Sequence, residues 1–343
     1  MTTTTDQPTA QKPTAQKSLL VRRILDRIGV QNVSLILALI LLVTLIGSQN
    51  SKLFLPGNIR IIGTAVAIVG VLAVGQTIII ILGALDISVG SMAGLASVSS
   101  AMVFTATGEN AGLGIGFALL LGVALGLVNG CIVVFGRVNP IIATLATLAA
   151  YKGLAQLVSD GRAQGYTGAD PVFIFLARGS LLGLPTLVVV FALVALAAHV
   201  LLTYTDIGRN IYAIGGNDSA SRLAGININK YILACYALTG MLAALAGVLI
   251  TARTGSGQPI SGSEGLELEA ITAAALGGCS FKGGKGVIGG TVLAVILLGV
   301  LSNGMTLLDI NSFWQNVAKG TLLVVAVVVQ QARSGERRVG IPT

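Results

Sequence analysis

The chain has 343 residues, of which 54% are hydrophobic and only 10% charged, with a formal net charge of +8 and a mean hydropathy of +0.89. A soluble globular chain carries about a quarter of its residues as charges, so these proportions exclude one and place nearly all of this chain in a lipid bilayer. The single His199 and the scattered Cys131, Cys235 and Cys279 lack the clustering that zinc or redox chemistry requires, and the cysteines read as reduced small hydrophobes.

In chain order, residues 1–27 are polar, repeat PTAQK in tandem, and have neither the apolar stretch nor the cleavage pattern of a signal peptide. A disordered cytoplasmic tail is expected there, with the first helix acting as an uncleaved insertion signal. A crossing helix needs about 20 apolar residues, because every backbone amide must be satisfied internally. Cutting the chain at its charges leaves seven such gaps: 28–51, 61–85, 87–108, 110–136, 179–205, 231–252 and 286–308. Three further stretches cross only if they carry charge: 139–159 with Lys152, 265–281 with Glu267 and Glu269, and 310–332 with Lys319.

The expected fold class is therefore an all-α integral membrane protein of about ten transmembrane helices. The membrane domain covers 28–332, a cytoplasmic loop lies at 205–230, and a basic tail follows at 333–343. With both termini inside, 14 of the 21 Lys and Arg fall on the cytoplasmic side and five outside, which is the expected bias. Topology thus accounts for the basic charge, and lipid rather than nucleic acid is the expected surroundings.

Glycine is abundant, and in lipid small residues let helix backbones approach closely. Gly122, Gly126 and Gly130 lie on one helical face, either for ordinary packing within the chain or as a seam for a second copy or a sliding surface for a conformational change. Two apolar runs are interrupted by turn chemistry, at 82–94 (LGALDISVGSMAG) and 276–290 (LGGCSFKGGKGVIGG), a weak internal echo of the kind common in transporters.

No nucleophile, base or metal set of an enzyme is visible. The GGCSFKGGKG stretch holds Cys279 and Gly286 where a phosphate-binding loop needs Gly and Ser or Thr, so no ATP site is expected in this chain. A charge at a helix centre costs about 2.5–3.5 kcal/mol. Lys319, about nine residues into its span, should bond neighbouring backbone carbonyls or line a path. Asp86, Glu267 and Glu269 should sit at helix boundaries, and Lys152 should reach outward. Asp86, Ser88, Asn303 and Lys319 are the candidates for a path or gate. A secondary transporter would need central carboxylates, and none stands out, so the energy source is expected in another polypeptide.

The loop at 205–230 reads as a short helix. Gly215 and Gly216 break the preceding segment, Asn217 is a good N-cap, Asp218 favours the first turn, and Gly225 supplies the stop. Two helical turns are unstable alone in water, so the helix must dock on its own subunit or on a cytoplasmic motor. For the second case the coupling candidates are Gly215, Gly216, Asn217, Asp218, Ala220, Arg222, Leu223 and Gly225.

The segments DISVG (86–90), GRNIYAIGGNDSASRLAGIN (208–227) and LGGCSFKGGKGVIGGT (276–291), with SNGMTLL and FWQNVAKG after them, resemble the membrane permeases of ribose-type ABC sugar importers over about 30–331. The resemblance implies a bacterial inner-membrane subunit that is not an enzyme. It implies a pair of such subunits around a translocation path, two ATP-binding cassette subunits holding ATP and Mg on the cytoplasmic face, and a solute-binding protein delivering a monosaccharide or similar polyol. An ion-coupled secondary transporter is the alternative.

Overall fold

The computed structural model describes residues 30–165, 170–260 and 262–333, so the tails expected at 1–27 and 333–343 lie outside the described residues but for Arg333. The chain is an all-α membrane protein. Its described residues form α1 (Val30–Gln49), α2 (Pro56–Leu82), α3 (Val89–Ala106), α4 (Ala111–Val134), α5 (Pro140–Ser159), α6 (Pro171–Arg178), α7 (Thr186–Tyr204), α8 (Asp206–Gly216), α9 (Asp218–Leu223), α10 (Ile228–Thr254), α11 (Leu266–Leu276), α12 (Ile288–Leu307) and α13 (Ser312–Arg333). Two antiparallel pairs of two-residue strands accompany them, β1 (Gln164–Gly165) with β4 (Ser256–Gly257) and β2 (Ser180–Leu181) with β3 (Leu184–Pro185).

Local chemistry sets the ends. Pro opens α2, α5 and α6, where its missing N–H costs nothing. The Asn110, Asn139 and Asn227 side chains accept from first-turn amides of α4, α5 and α10. Gly83 and Gly255 stop α2 and α10 at φ 93° and 72°, left-handed values that a side chain would resist.

Eight helices among the described residues are long and apolar enough to cross a membrane: α1 to α5, α7, α10 and α12. The other two expected spans form helices that differ from these. In α13 the apolar portion is Ser312–Val328. α11 has only 11 residues, about 16 Å at 1.5 Å per residue, half of a roughly 30 Å hydrocarbon core.

α2 is the centre of the bundle, buried from Val66 to Leu82 except at Val69. α4 and α10 pack backbone against backbone. A Cβ at Gly126 would collide with the Tyr236 carbonyl, one at Gly122 with that of Gly240, and one at Gly130 would press on Leu233 and Tyr236. The glycine face therefore packs within the chain, the first of the two sequence readings.

α11 starts at the middle of α2, where Leu266 and Glu269 share a cavity with Val66 and Val69. It ends beside Thr291, whose hydroxyl pairs with that of Thr77 at 2.7 Å. The chain between α10 and α11 reaches this depth as irregular backbone laid along α3. The Gln258 amide donates to Ser97 Oγ at 2.9 Å, and Gly94 and Gly90 leave room for Pro259 and Ser263. Irregular backbone at bilayer depth is tolerated only where protein buries it or a cavity faces it, and here both hold.

Candidate functional site

Three places hold the residues singled out from sequence. The first is the α8–α9 segment. Thr205 Oγ1 caps α8 by accepting from the Gly208 amide, and Asn217 Oδ1 caps α9 by accepting from the Ala220 amide at 2.9 Å. The chain leaves α9 through Gly225 at φ 83°, as the stop signal predicts. Arg222 and Leu223 are exposed, Leu223 at 91%, while Ser221 is buried on the opposite face. Asp218 and Ala220 stay exposed near the cap.

The preceding helix ends at Gly216, where the expected break falls, with Asn217 extended after it. The two glycines form the last turn of α8, and the missing side chain of Gly215 also permits a close approach. A Cβ on Gly215 would collide with the Ile81 carbonyl and the Gly284 amide, and Gly284 abuts Gly216. The Gly284 amide in turn donates to the Ile81 carbonyl at 2.8 Å. The ends of α2 and α8 and the 277–287 loop are thus locked at one glycine junction. Tyr212 reinforces it by donating to the Gly286 carbonyl at 2.7 Å.

The second place is the interruption between α2 and α3. Asp86 was expected at a helix boundary; it follows the end of α2 but is fully buried, because the chain turns back into the bundle after Gly83 and Gln76 Nε2 holds the Asp86 carbonyl oxygen. Asp86 Oδ1 accepts from the Ser88 amide at 2.9 Å and from Ser88 Oγ at 2.6 Å. Asn129 Nδ2 donates to Ser88 Oγ at 2.8 Å, and its Oδ1 accepts from the Tyr151 hydroxyl at 3.2 Å. The Tyr236 hydroxyl bonds the Leu85 carbonyl. Burial of a carboxylate is costly unless its oxygens are satisfied, and four elements supply this knot.

The third place brings Lys319 and Asn303 to one cavity of about 370 Å³ between α2, α10, α11, α12 and α13. Lys319 on α13 pairs with Glu269 on α11. Of the two sequence readings, bonding to backbone carbonyls or lining a path, the geometry gives a carboxylate partner on a cavity wall. Glu269 lies in the first turn of a half-helix, where the positive end of the backbone dipole favours a carboxylate. Asn303 exchanges two 2.9 Å bonds with Asn58, amide to amide. Lys152, expected to reach outward, bonds Glu264 at 2.8 Å with both side chains partly exposed.

Asn58 and Asn129 were missed from sequence, and Glu269, expected at a helix boundary, was not placed with the path candidates. Only Glu269 carried a signal, an acidic residue within an apolar stretch that could answer Lys319 in another. Among the described residues no group of three His, Cys, Asp or Glu side chains is placed to hold a metal.

Residues 58–327 match the family described as branched-chain amino acid transport system / permease component. The chain is similar to the ribose import permease protein of Escherichia coli strain K12, 38% identical over 300 residues that cover 87% of this chain and 93% of that protein. The ribose import permease protein of Bacillus subtilis strain 168 is 37% identical over 298 residues, 87% and 92% of the two chains. The L-arabinose transport system permease protein of Escherichia coli strain K12 is 35% identical over 281 residues, 82% and 84%. No solved structure matches significantly.

Proposed function

The chain belongs to the branched-chain amino acid transport system / permease component family, and from that premise we propose that it forms the translocation path of an ATP-driven importer of a monosaccharide or similar polyol. It is a transport subunit rather than an enzyme, and a multi-pass protein of the bacterial inner membrane. The observation that carries the proposal is α9, which presents Arg222 and Leu223 outward while the helix before it is locked to α2 and the 277–287 loop. A buried Leu is worth about 1.5–3 kcal/mol relative to an exposed one, which supports docking of Leu223 into a groove on a separate ATP-binding cassette subunit. Displacement of α9 then moves the glycine junction as a unit and with it the end of α2.

In this reading the half-helix α11 and the irregular segment before it make one of ten passages, both termini are cytoplasmic, and a second copy of the chain completes the path. A solute-binding protein delivers the sugar from outside. Uptake of labelled D-ribose, L-arabinose and D-allose, the sugars in the names of similar permeases, tests the assignment in cells with and without this chain. Uptake that needs both this chain and a co-purifying ATPase supports it. The buried Asp86 and the cavity-lining Glu269 give the ion-coupled alternative two candidate carboxylates, although Asp86 is committed to Ser88 and Asn129 and Glu269 to Lys319. Gradient-driven accumulation in vesicles holding only this polypeptide would favour that alternative and overturn the proposal.

A further inference from the structure

The pair Glu269–Lys319 stands between two cavities, and what it does there rests on reading the chain as a solute permease. The cavity of about 370 Å³ takes Asn303, Thr306 and Gln315 into its lining. A second, of about 460 Å³ between α11, α12 and α13, takes Asn316 and Thr272. Both volumes lie within the range of small-molecule sites. Glu269, Lys319, Leu298 and Ser302 line both cavities, so the ion pair is part of the wall that divides them.

The side chains of the pair remain 23% and 28% exposed. At mid-length of α2 an exposed charge does not face lipid, since ionisable groups at that depth turn to protein or to water-filled space. The open edges of the pair therefore face a wet passage or a second subunit. Across the two linings the charged residues are Arg253, Glu264, Glu269 and Lys319, two of each sign, which leaves no net charge to select an ion. A carboxylate accepts hydrogen bonds and an ammonium donates them, and a sugar hydroxyl does both. No aromatic side chain lines either cavity to hold a ring face, so a solute would bind weakly and leave quickly, as a path requires.

We propose that Glu269 and Lys319, with Ser302 and Asn303, form a transit site for an uncharged polyol. Solute hydroxyls replace the mutual bond of the pair, donating to the Glu269 carboxylate and accepting from the Lys319 ammonium, and the parted side chains join the two cavities.

The test uses the full importer with labelled D-ribose as probe. Glu269→Gln and Lys319→Leu should each lower uptake at least tenfold through a raised half-saturation concentration, with unchanged protein level in the membrane, and Lys319→Arg should restore it to within threefold. In a Cys131→Ser background, Ser302→Cys should react with a small cationic methanethiosulfonate, at a rate that excess D-ribose cuts at least threefold. Wild-type uptake with an inert Ser302→Cys, labelling that sugar does not slow, or Glu269→Gln uptake within twofold of wild type would each overturn the site. Reaction at Ser302→Cys together with no uptake of any tested sugar by the wild type would instead overturn the sugar assignment.

Discussion

Two connections of this bundle run as irregular backbone inside it, and they lead to different surroundings. Between α2 and α3 the chain at 83–88 is closed: Asp86 and Ser88 are fully buried, and Asn129, Tyr151 and Gln76 occupy the surrounding donors and acceptors. Between α10 and α11 the described residues at 255–260 and 262–265 lie along α3, with Gly257, Pro259 and Ser263 buried. They lead to a half-helix whose Glu269 meets Lys319 across a wall between two cavities. Both need irregular backbone inside the bundle, and both use glycines of α3 or its approach to make room. What separates them is enclosure: the Asp86 carboxylate is bonded and sealed inside the bundle, with Gln76 Oε1 left as a buried oxygen without a partner, whereas the Glu269–Lys319 pair keeps about a quarter of its side-chain surface open beside two cavities.

That contrast is broken most severely at Asp86. Asp86→Ala strands the Ser88 amide and the Ser88 hydroxyl hydrogen, at about 1–3 kcal/mol per stranded buried group, while Asn129 keeps its bond to Ser88 Oγ. The detergent-solubilised protein should lose the sum of the two, read as a lowered thermal midpoint; an unchanged midpoint would mean the joint is not closed. Gly225→Val extends the comparison to α9. A β-branched residue at φ 83° costs about 1–2 kcal/mol and should abolish ATP-driven uptake while the chain still inserts, measured by uptake alongside membrane abundance.

Glu269→Gln sharpens the contrast from the other side: the amide oxygen still accepts from Lys319, so the thermal midpoint should fall less than for Asp86→Ala, although uptake falls tenfold. Arg222→Glu should reduce the amount of ATPase subunit that co-purifies several-fold, and a complex intact in detergent would refute a docking role for that face. Cys131→Ser, at an exposed position outside all three places, should leave uptake within twofold.

The helices were legible because charges punctuate the apolar runs, and the caps of α9 because Asn217 and Gly225 act through neighbours close in sequence. Depth was not legible. Hydropathy counts apolar residues without saying whether a segment crosses or folds back, so the 265–281 stretch read as a full span when only Leu266–Leu276 is helical. Asp86 read as a boundary residue for the same reason, since its burial depends on Asn129 and Gln76, which lie on other helices. Gly215 and Gly216 were legible as the end of a helix, but the contact that also uses them, with Ile81 and Gly284, spans distant parts of the chain. Glu269 and Lys319 were each visible, but their pairing is a tertiary fact.

The glycine strip that seats α4 on α10 also sets a timing problem for synthesis. Gly122, Gly126 and Gly130 fit only against the backbone of α10, which leaves the ribosome roughly a hundred residues later, an interval of about 5–20 s at typical elongation rates. Through that interval α4 has α3 beside it, at Gly114 against Ser100 and Phe104, but its glycine groove is bare. A translational pause before α10 lengthens the window in which another helix can occupy the groove, so mispaired chains should accumulate in proportion to its duration.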